Sequence, residues 1–482
     1  MSTHVQALVV GAGISGLVCA YSLRKAGLEV LLAESSSRPG GLIRSETRDG
    51  YLLELGPQSF SSTPQILALC RELEIADQLV SAPPRAPRYL LLRGKLQSAP
   101  LSPPAFFTTS LFGARTKWSV VRDLFGRSSP PVADESVADF IRRKFSAELL
   151  EKLVGPFISG IYAGDPEKLS LRAAFPQLCE AEKNSGSIIR GMLRAAKQSK
   201  AQSEAMPAAG STSTSPEKKR PSLQSFRDGN ETLVRALAKN LGSALRTEAQ
   251  VTGIRRTSSA SEPLYEVTLS ANGAKEIFTT DNLVLATPTQ VSANLLGNIS
   301  PATASSLSSI EYAPIAVVSL GYIKSSVGHS LDGFGFLIPR SEKLRTLGTV
   351  WNSSLFPGRA PEGHALLTSF IGGATDPEAP ALPPAELSSR IHKEIAPFLR
   401  ISQPPVFANV QAYSRALPQY NLGHSALLAS LGRLRSDLRG VWLAGNYLRG
   451  PAIGACIEQA LSIAAEISSR PQQSALRGAA NS

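Results

Sequence analysis

A glycine-rich turn between a buried strand and a helix constrains this chain more than any other feature. The apolar run Gln6–Val10 leads directly into the segment Gly11–Gly16 (GAGISG), and a helical pattern follows as far as Gly27. A second apolar run, Leu28–Ala33, ends in Glu34. A strand, a crossover helix and a second strand with glycines at this spacing form a βαβ unit that binds a dinucleotide.

Each part of this motif has its own physical role. Gly11 allows the tight turn, Gly13 lets the backbone approach a pyrophosphate, and Gly16 lets helix and strand pack closely. The N–H groups at the start of the helix are free to bind the phosphates. Glu34 can accept hydrogen bonds from a ribose diol. The sequence therefore predicts a dinucleotide site rather than a purely structural glycine turn.

The residues after Glu34 favour FAD over NAD. The pair Gly40-Gly41 and then Arg44 follow, a continuation that plain nicotinamide enzymes lack. This stretch resembles the extended FAD-binding signature of the flavin amine oxidase superfamily, in which the glycine pair and the arginine lie along the diphosphate and flavin. The segment Leu53–Gln58 continues the resemblance, because a small residue and a proline let the backbone lie close to the isoalloxazine.

A second helix N-terminus is expected late in the chain. The buried run Val441–Asn446 meets a glycine-containing turn, and a helix is predicted over Ala455–Ser468. Its dipole could point at the pyrimidine edge of a flavin, or the helix could be an ordinary one without a ligand. The residues predicted to bind FAD are Gly11, Ala12, Gly13, Ile14, Ser15, Gly16, Glu34, Ser35, Gly40, Gly41, Leu42, Arg44, Gly56, Pro57, Gln58, Ser59, Val251, Gly445, Asn446, Pro451, Ala452 and Ile453.

Composition excludes several classes of protein. With 43% hydrophobic and 18% charged residues in 482, the chain is globular rather than disordered or collagen-like. The four cysteines are far apart with no CxxC, which predicts reduced, mostly buried thiols in a cytosolic protein. The histidines have no metal-ligand spacing, so we expect no metal. No apolar run reaches 18 residues, so we expect no transmembrane helix.

The excess of positive charge is regional. Residues 85–127 hold eight Lys or Arg residues and one acidic residue, and residues 184–227 hold eight and two. Aromatic residues make up only 6% and no nucleic-acid-binding signature is present, so nucleic acid is not an expected partner. The basic regions instead indicate an anionic surface or an acidic ligand.

The predicted fold class is α/β. It comprises a Rossmann-like FAD-binding domain, a mixed-sheet substrate domain and a helical membrane-facing subdomain. A single amphipathic helix is predicted over residues 134–153. The expected boundaries are 1–80, 223–300 and 426–475 for the discontinuous FAD-binding domain, 81–100 and 301–425 for the substrate-binding domain, 101–197 for the helical subdomain, and 198–222 for a disordered linker without apolar periodicity.

Segments away from the cofactor motif narrow the resemblance to one family. Gly160–Pro176 and Ala412–His424 resemble hallmarks of protoporphyrinogen oxidases and their coproporphyrinogen-oxidising relatives, and Gly333–Pro339 is similar too. The resemblance runs from about residue 6 to 465. It departs in the linker 198–222 and in the turn Gly450–Cys456, where the family usually has Val after the first Gly and Asn-Asp or Pro-Asp before the Cys.

The resemblance implies an oxygen-dependent flavin oxidase acting on a porphyrinogen. Six electrons leave the substrate, so three flavin cycles are needed, and each reduces O₂ to H₂O₂. Hydride passes to flavin N5, so no catalytic side chain is assigned, and His424 is expected to be structural. The residues expected to bind substrate are Arg88 and Arg172 for propionates, Phe334, Leu337 and Phe370 for apolar walls, and Gly160 and Gly335 for close approach of the backbone.

Alternatives remain open at this point. The arginines could be solvated, the apolar residues could be core, and the glycines could belong to turns. Residues 103–125 mix aromatics with Arg and Lys, which is typical either of contact with an anionic membrane or of a core with snorkelling bases. The protein is expected in the cytoplasm, with peripheral contact at the inner face of the cell membrane as one reading.

The substrate and the assembly are also not decided by sequence. Protoporphyrinogen and coproporphyrinogen are both candidates, as are oxygen and a quinone as acceptor and a homodimer or a monomer. Rival functions are a flavin oxidase acting on amines or polyenes, a non-enzymatic protein on the same fold that resembles prenyl-protein chaperones, and, last, a nicotinamide dehydrogenase.

Overall fold

The structure, a computed structural model, describes residues 3–126, 134–191, 194, 223–257, 264–271 and 273–470. The predicted linker 198–222 lies outside them. The strands are β1 Thr3–Val10, β2 Val30–Ala33, β3 Ser45–Arg48, β4 Tyr51–Glu54, β5 Phe60–Ser61, β6 Leu79–Ser81, β7 Arg88–Leu92, β8 Lys95–Ser98, β9 Leu223–Phe226, β10 Leu245–Arg246, β11 Ala249–Arg256, β12 Tyr265–Ala271, β13 Ala274–Leu285, β14 Tyr312–Ile323, β15 Gly335–Leu337, β16 Thr346–Val350, β17 His364–Gly372, β18 Phe407–Pro418 and β19 Val441–Leu443.

The helices of the described residues fall mainly between these strands. Those of eight residues or more are Ile14–Lys25, Pro64–Glu72, Ala114–Leu124, Val137–Lys144, Gly155–Tyr162, Pro176–Ser185, Glu231–Leu241, Thr289–Leu296, Pro301–Ser308, Pro384–Leu399, His424–Gly432 and Ile453–Ser468. Shorter ones are Pro103–Thr108, Ala147–Leu149, Leu171–Ala174, Asn352–Leu355 and Leu434–Asp437.

The first sheet contains the predicted βαβ unit. Its strand order is β10-β2-β1-β13-β12-β11, with β19 also paired to β13. Strands β10, β2, β1, β13 and β19 run parallel, whereas β13, β12 and β11 form an antiparallel meander. The helices Ile14–Lys25 and Ile453–Ser468 contribute to the core on one face of this sheet. Central strand β1 is buried from Ala7 to Val9, as expected for a parallel strand covered on both faces. The predicted strand–helix–strand unit is confirmed.

The second sheet is mixed, as predicted. Its order is β18-β14-β17-β16-β15-β7-β8, and within it β15 and β7 form the parallel pair. Phe336 and Leu367 pack against the helix Pro384–Leu399 on one face. Because neighbouring residues of a strand alternate between faces, Leu337 lies on the opposite face, towards the helix Gly155–Tyr162.

The helical region differs from its prediction. The expected single helix over 134–153 is wrong, because the helix Val137–Lys144 ends at Phe145 and Ser146 caps a new one by accepting a hydrogen bond from Leu149 N. A short π-helical turn, Leu150–Val154, then leads into Gly155–Tyr162. No helix in the described part of the chain is long and apolar enough to cross a membrane. The proposed domain boundaries stay predictions.

Candidate functional site

Two glycines of the first motif are required by the packing of the protein itself. Gly11 has a φ of +95°, and a Cβ added to it would lie 2.8 Å from the carbonyl oxygen of Ala286. A Cβ on Gly16 would lie 1.9 Å from the carbonyl oxygen of Gly11. Strands β1 and β13 and the helix Ile14–Lys25 therefore meet too closely for any side chain at either position.

Gly13 faces open space instead. A Cβ there would have no neighbouring atom within 4 Å, and its φ of −67° is one that other residues adopt readily. Gly40 N donates to Ala12 O at 2.7 Å, and the Cβ position of Gly41 is 3.3 Å from Gly13 Cα. No side chain of the described residues caps the helix that begins at Ile14. An open cradle of bare backbone beside free helix N–H groups fits a pyrophosphate.

Glu34 lies at the edge of this cradle. Its Oε2 accepts a hydrogen bond from Ala12 N at 2.7 Å, and its Oε1 accepts from the backbone N and Oγ of Ser36 at 2.9 and 2.7 Å. Ser35, next in the chain, is exposed. Ala249 N donates to Glu34 O at 2.8 Å, so Val251, two residues further along β11, is beside the same corner. This acid and this strand edge fit the nucleoside half of FAD.

The loop from Leu42 to Ser59 folds back on itself behind the second glycine pair. Leu55 N donates to Arg44 O at 2.9 Å, and a Cβ on Gly56 would lie 2.0 Å from Leu42 O. Arg44 is partly exposed and pairs with Glu46 at 3.3 Å. Gln58 is buried and donates to the carbonyls of Glu54 and Gly56, both at 2.9 Å. The Gln58 side chain therefore shapes the loop from within, whereas Pro57 and Ser59 are partly exposed.

The late turn meets the first motif from the other side. The helix Ile453–Ser468, which has Cys456 in its first turn, packs in one core with the helix Ile14–Lys25. Gly445 has a φ of +152°, and its N donates to Gln459 Oε1 at 3.0 Å. Asn446 O accepts a hydrogen bond from the hydroxyl of Tyr420. The residues Pro451, Ala452 and Ile453 thus begin a helix beside the glycine cradle, without a side-chain cap in the described structure.

Two residues with reactive side chains are structural in this setting. His424 Nε2 lies 3.0 Å from Tyr447 O, and burial lowers the pKa of the imidazole. Burial raises the pKa of the Cys456 thiol to about 11, which keeps it protonated and unreactive. No group of metal-binding side chains occurs within the residues that the structure describes.

Four of the residues expected to bind substrate share one face of the second sheet. Arg88 is paired with Gly335 between β7 and β15, and Leu337 with Gly348 between β15 and β16. Gly348 is paired in turn with Phe370 of β17. Paired and alternate positions point to the same side of a sheet, so Arg88, Leu337 and Phe370 lie along one surface.

The two glycines in this region have explanations within the protein. A Cβ on Gly335 would lie 2.0 Å from Thr349 O, and a Cβ on Gly160 would lie 2.6 Å from Leu337 Cδ2. Gly335 therefore permits close strand pairing, and Gly160 lets the helix Gly155–Tyr162 approach the sheet. Whether bound substrate also uses this bare backbone stays a prediction.

The two candidate arginines have different surroundings. Arg88 is exposed and stacks on the ring of Phe334, with 5.2 Å from Cζ to the ring centroid, and desolvation alone lowers the pKa of its guanidinium. Arg172 lies on the short helix Leu171–Ala174, near the thiol of Cys179.

Sequence reasoning missed a buried ion pair behind the loop from Leu42 to Ser59. Arg359 Nη2 lies 3.5 Å from Glu54 Oε1, and both side chains are at most 2% exposed. Burial raises the pKa of Glu54 to about 7, although Arg359, Ser45 and the N–H of Asn230 favour its charged form. Asn352, on the same segment as Arg359, donates to Gln58 Oε1 at 2.7 Å. No periodic pattern marks these residues, so only the structure reveals them.

It also missed two exposed apolar side chains beside Gly160. Phe157 is 40% and Ile161 is 45% exposed. They lie one turn apart in an uncharged helix, a pattern that sequence alone attributes to buried core.

The fold and the glycine cradle define a flavin-dependent oxidoreductase of the α/β class. A family model described as flavin-containing amine oxidoreductase matches residues 14–468. The chain is 34% identical to a chloroplastic protoporphyrinogen oxidase of Nicotiana tabacum, over 97% of this chain and 86% of that protein. It is 29% identical to a coproporphyrinogen III oxidase of Bacillus subtilis, over 94% of this chain and 95% of that protein.

A solved structure from Exiguobacterium sp. 255-15, provisionally named a protoporphyrinogen oxidase, has the same fold, with a TM-score of 0.77, 22% identity, and coverage of 97% of this chain and 99% of that one. The chain belongs to the flavin-containing amine oxidoreductase family and, within it, to the protoporphyrinogen oxidases and their coproporphyrinogen-oxidising relatives. It is an FAD-dependent oxidoreductase, as the sequence predicts.

Proposed function

We propose that this chain oxidises protoporphyrinogen IX to protoporphyrin IX in porphyrin biosynthesis. Six electrons and six hydrogens leave the substrate in three two-electron cycles, and three O₂ become three H₂O₂. The glycine cradle, Glu34 and the loop 40–59 would hold the FAD, which when bound would supply the hydride-accepting and oxygen-reducing chemistry. The chain's own residues bind and orient the macrocycle and exclude water from it.

The proposal rests mainly on one observation, which is that an apolar surface of the mixed sheet is bordered by Arg88. Leu337 and Phe370 supply a partly exposed apolar surface, and Arg88 at its border has no carboxylate partner among the described residues. A flat, hydrophobic macrocycle with propionates on one edge matches that combination. Coproporphyrinogen III, with two more propionates, is the second candidate, because relatives of both kinds are similar to this chain.

The test is an anaerobic mixing experiment with each porphyrinogen in parallel. Flavin bleaching is followed by absorbance, and air is then admitted while porphyrin fluorescence is recorded. We expect bleaching and then fluorescence with protoporphyrinogen. A flavin-loaded protein that oxidises neither porphyrinogen would refute the proposal and turn attention to amine or polyene substrates.

The variant Arg88→Leu tests the propionate contact. Loss of one charge-assisted hydrogen bond should raise KM by about tenfold with a smaller change in kcat. Arg85→Leu is the matched control, since Arg85 is an exposed arginine three residues earlier, before strand β7. Equal KM values for the two variants would contradict a specific role for Arg88.

We further propose that the helical region contacts an anionic membrane from the cytoplasmic side. The helix Ala114–Leu124 exposes Trp118 at 66%, and Phe125 after it is 80% exposed. Its buried face is polar, with Thr116, Ser119 and Asp123. A helix that buries polar residues and exposes an aromatic stripe with bases is suited to a lipid interface, where a hydrophobic substrate is also concentrated.

A further inference from the structure

A second apolar surface lies next to the candidate substrate surface of the mixed sheet. It belongs to the helix Gly155–Tyr162, whose Gly160 is in contact with Leu337 of strand β15. Phe157 is three residues before Gly160 and Ile161 is one residue after it; the two are about one helical turn apart, so they share a face. At 40% and 45% exposure they are large apolar side chains left uncovered next to a packed contact. Neighbouring exposed apolar side chains that form one patch are typical of a surface that another molecule covers.

In the described structure, the elements that surround the contact between Gly160 and Leu337 have no acidic residue and no lysine or arginine. The helix Gly155–Tyr162 has no Asp, Glu, Lys or Arg, and neither have strands β14, β15, β16 and β17. Arg88 lies level with Gly335, about 7 Å along β15 from Leu337. The surface therefore changes from cationic to apolar over roughly the radius of a tetrapyrrole.

The far end of β15 does not supply a second uncompensated cation. Arg340 follows that strand, but its guanidinium bonds to Gly372 O at 3.3 Å and to the hydroxyl of Thr375. The carboxylates of Asp376 and Asp165 act on it as well, and Asp376 also pairs with Arg345. Arg88, in contrast, has no carboxylate acting on it among the described residues.

We propose that Phe157 and Ile161 determine substrate specificity by forming the wall against the edge of the macrocycle opposite Arg88. This inference rests on the proposed function. Protoporphyrinogen presents uncharged vinyl and methyl groups at that edge, whereas coproporphyrinogen presents two further propionates. A carboxylate pressed against this wall loses hydration without gaining a partner, so kcat/KM favours protoporphyrinogen by about tenfold or more.

The experiment compares kcat/KM for the two porphyrinogens in wild type, Ile161→Arg and Ile277→Arg. Ile277 is the matched control because it is 42% exposed on strand β13 of the other sheet. We expect wild type to prefer protoporphyrinogen, Ile161→Arg to shift the ratio towards coproporphyrinogen by about tenfold, and Ile277→Arg to leave it unchanged. Flavin content and circular dichroism report folding, and Phe157→Lys provides a second variant on the same face.

Three results would overturn the inference. These are equal use of both substrates by wild type, an unchanged ratio in folded Ile161→Arg and Phe157→Lys, or an equal shift in Ile277→Arg. If flavin-loaded wild type oxidises neither porphyrinogen, the proposed function itself fails, which is a different result from oxidation without discrimination.

Discussion

At the scale of single residues, the glycines of the first motif divide into two kinds. A side chain on Gly16 would collide with the backbone of Gly11 at 1.9 Å, whereas one on Gly13 would enter empty space. Gly16 is therefore required by the packing of the protein, whereas no packing contact requires a glycine at position 13, as expected where a ligand approaches the backbone. The space around each glycine therefore distinguishes a cofactor site from a structural turn better than the sequence motif alone does.

The division predicts opposite outcomes for two alanine variants. Gly16→Ala should destabilise the fold by about 3 kcal/mol or more, because backbone must move. Gly13→Ala should leave the unfolding free energy of the flavin-stripped protein within about 0.5 kcal/mol of wild type, yet weaken FAD binding by about tenfold or more. Thermal melting of stripped protein and the flavin-to-protein absorbance ratio measure the two effects. If Gly13→Ala retains flavin as wild type does, the pyrophosphate does not lie against Gly13.

At the scale of elements, the parts of the fold that sequence predicts are those whose residues are neighbours in the chain. Strand β1, its helix and β2 are contiguous, so their apolar periods and glycines could be interpreted together. The pairing of Arg88 with Gly335 joins strands far apart in sequence, and no local pattern indicates it. The break at Ser146 was missed for a different reason, because a serine cap inside an amphipathic period is compatible with one continuous helix until its hydrogen bond is seen.

A segment that follows β16 joins the loop from Leu42 to Ser59 to the second sheet. Asn352 donates to Gln58 in this loop, and Arg359 pairs with Glu54. Arg359 also donates to Phe226 O at 3.1 Å, and its own carbonyl accepts from Leu52 N at 3.2 Å. These buried contacts fix the strand β4 and the loop after it relative to the sheet that carries the candidate substrate surface.

The Glu54 carboxyl should make stability depend on pH. Burial raises its pKa from 4.5 to about 7 in the folded protein, so the folded state holds a proton that the unfolded state releases. The stabilisation from the protonated Glu54 carboxyl is fully present below about pH 4.5 and is lost as pH rises through 7. The free energy of unfolding falls by about 3 kcal/mol as a result. Relative to wild type, Glu54→Gln should therefore gain stability between pH 5 and pH 8.

Urea unfolding of both proteins across that range measures the gain. Glu362→Gln is the control, since Glu362 is an exposed carboxyl near the same segment. If the free energy of unfolding depends on pH in the same way for wild type and Glu54→Gln, Glu54 stays ionised over this range because Arg359 stabilises its charged form.

At the scale of the whole molecule, the proposed functions occupy connected surfaces. The helix Gly155–Tyr162 belongs to the same helical region as Trp118 and Phe125, and Lys152 Nζ, just before this helix, donates to Leu111 O at 2.8 Å. Thr116 and Asp123 anchor the exposed helix through Glu148 at 2.6 Å and Ser187 at 2.9 Å. The aromatic stripe is thus held outward by buried polar bonds rather than by apolar packing.

This arrangement predicts salt-sensitive binding to anionic vesicles. Trp118 and Phe125 would enter the lipid interface while Arg115 and Arg122 attract the headgroups, each base contributing about 1 kcal/mol. Trp118→Ser combined with Phe125→Ser should reduce the vesicle-bound fraction by about tenfold without loss of flavin. The double variant Ile323→Ser with Val406→Ser is the control, because those side chains are 38% and 56% exposed on the mixed sheet. Flotation with phosphatidylglycerol vesicles at low and high salt measures binding, and wild type that stays unbound at low salt would exclude the membrane contact.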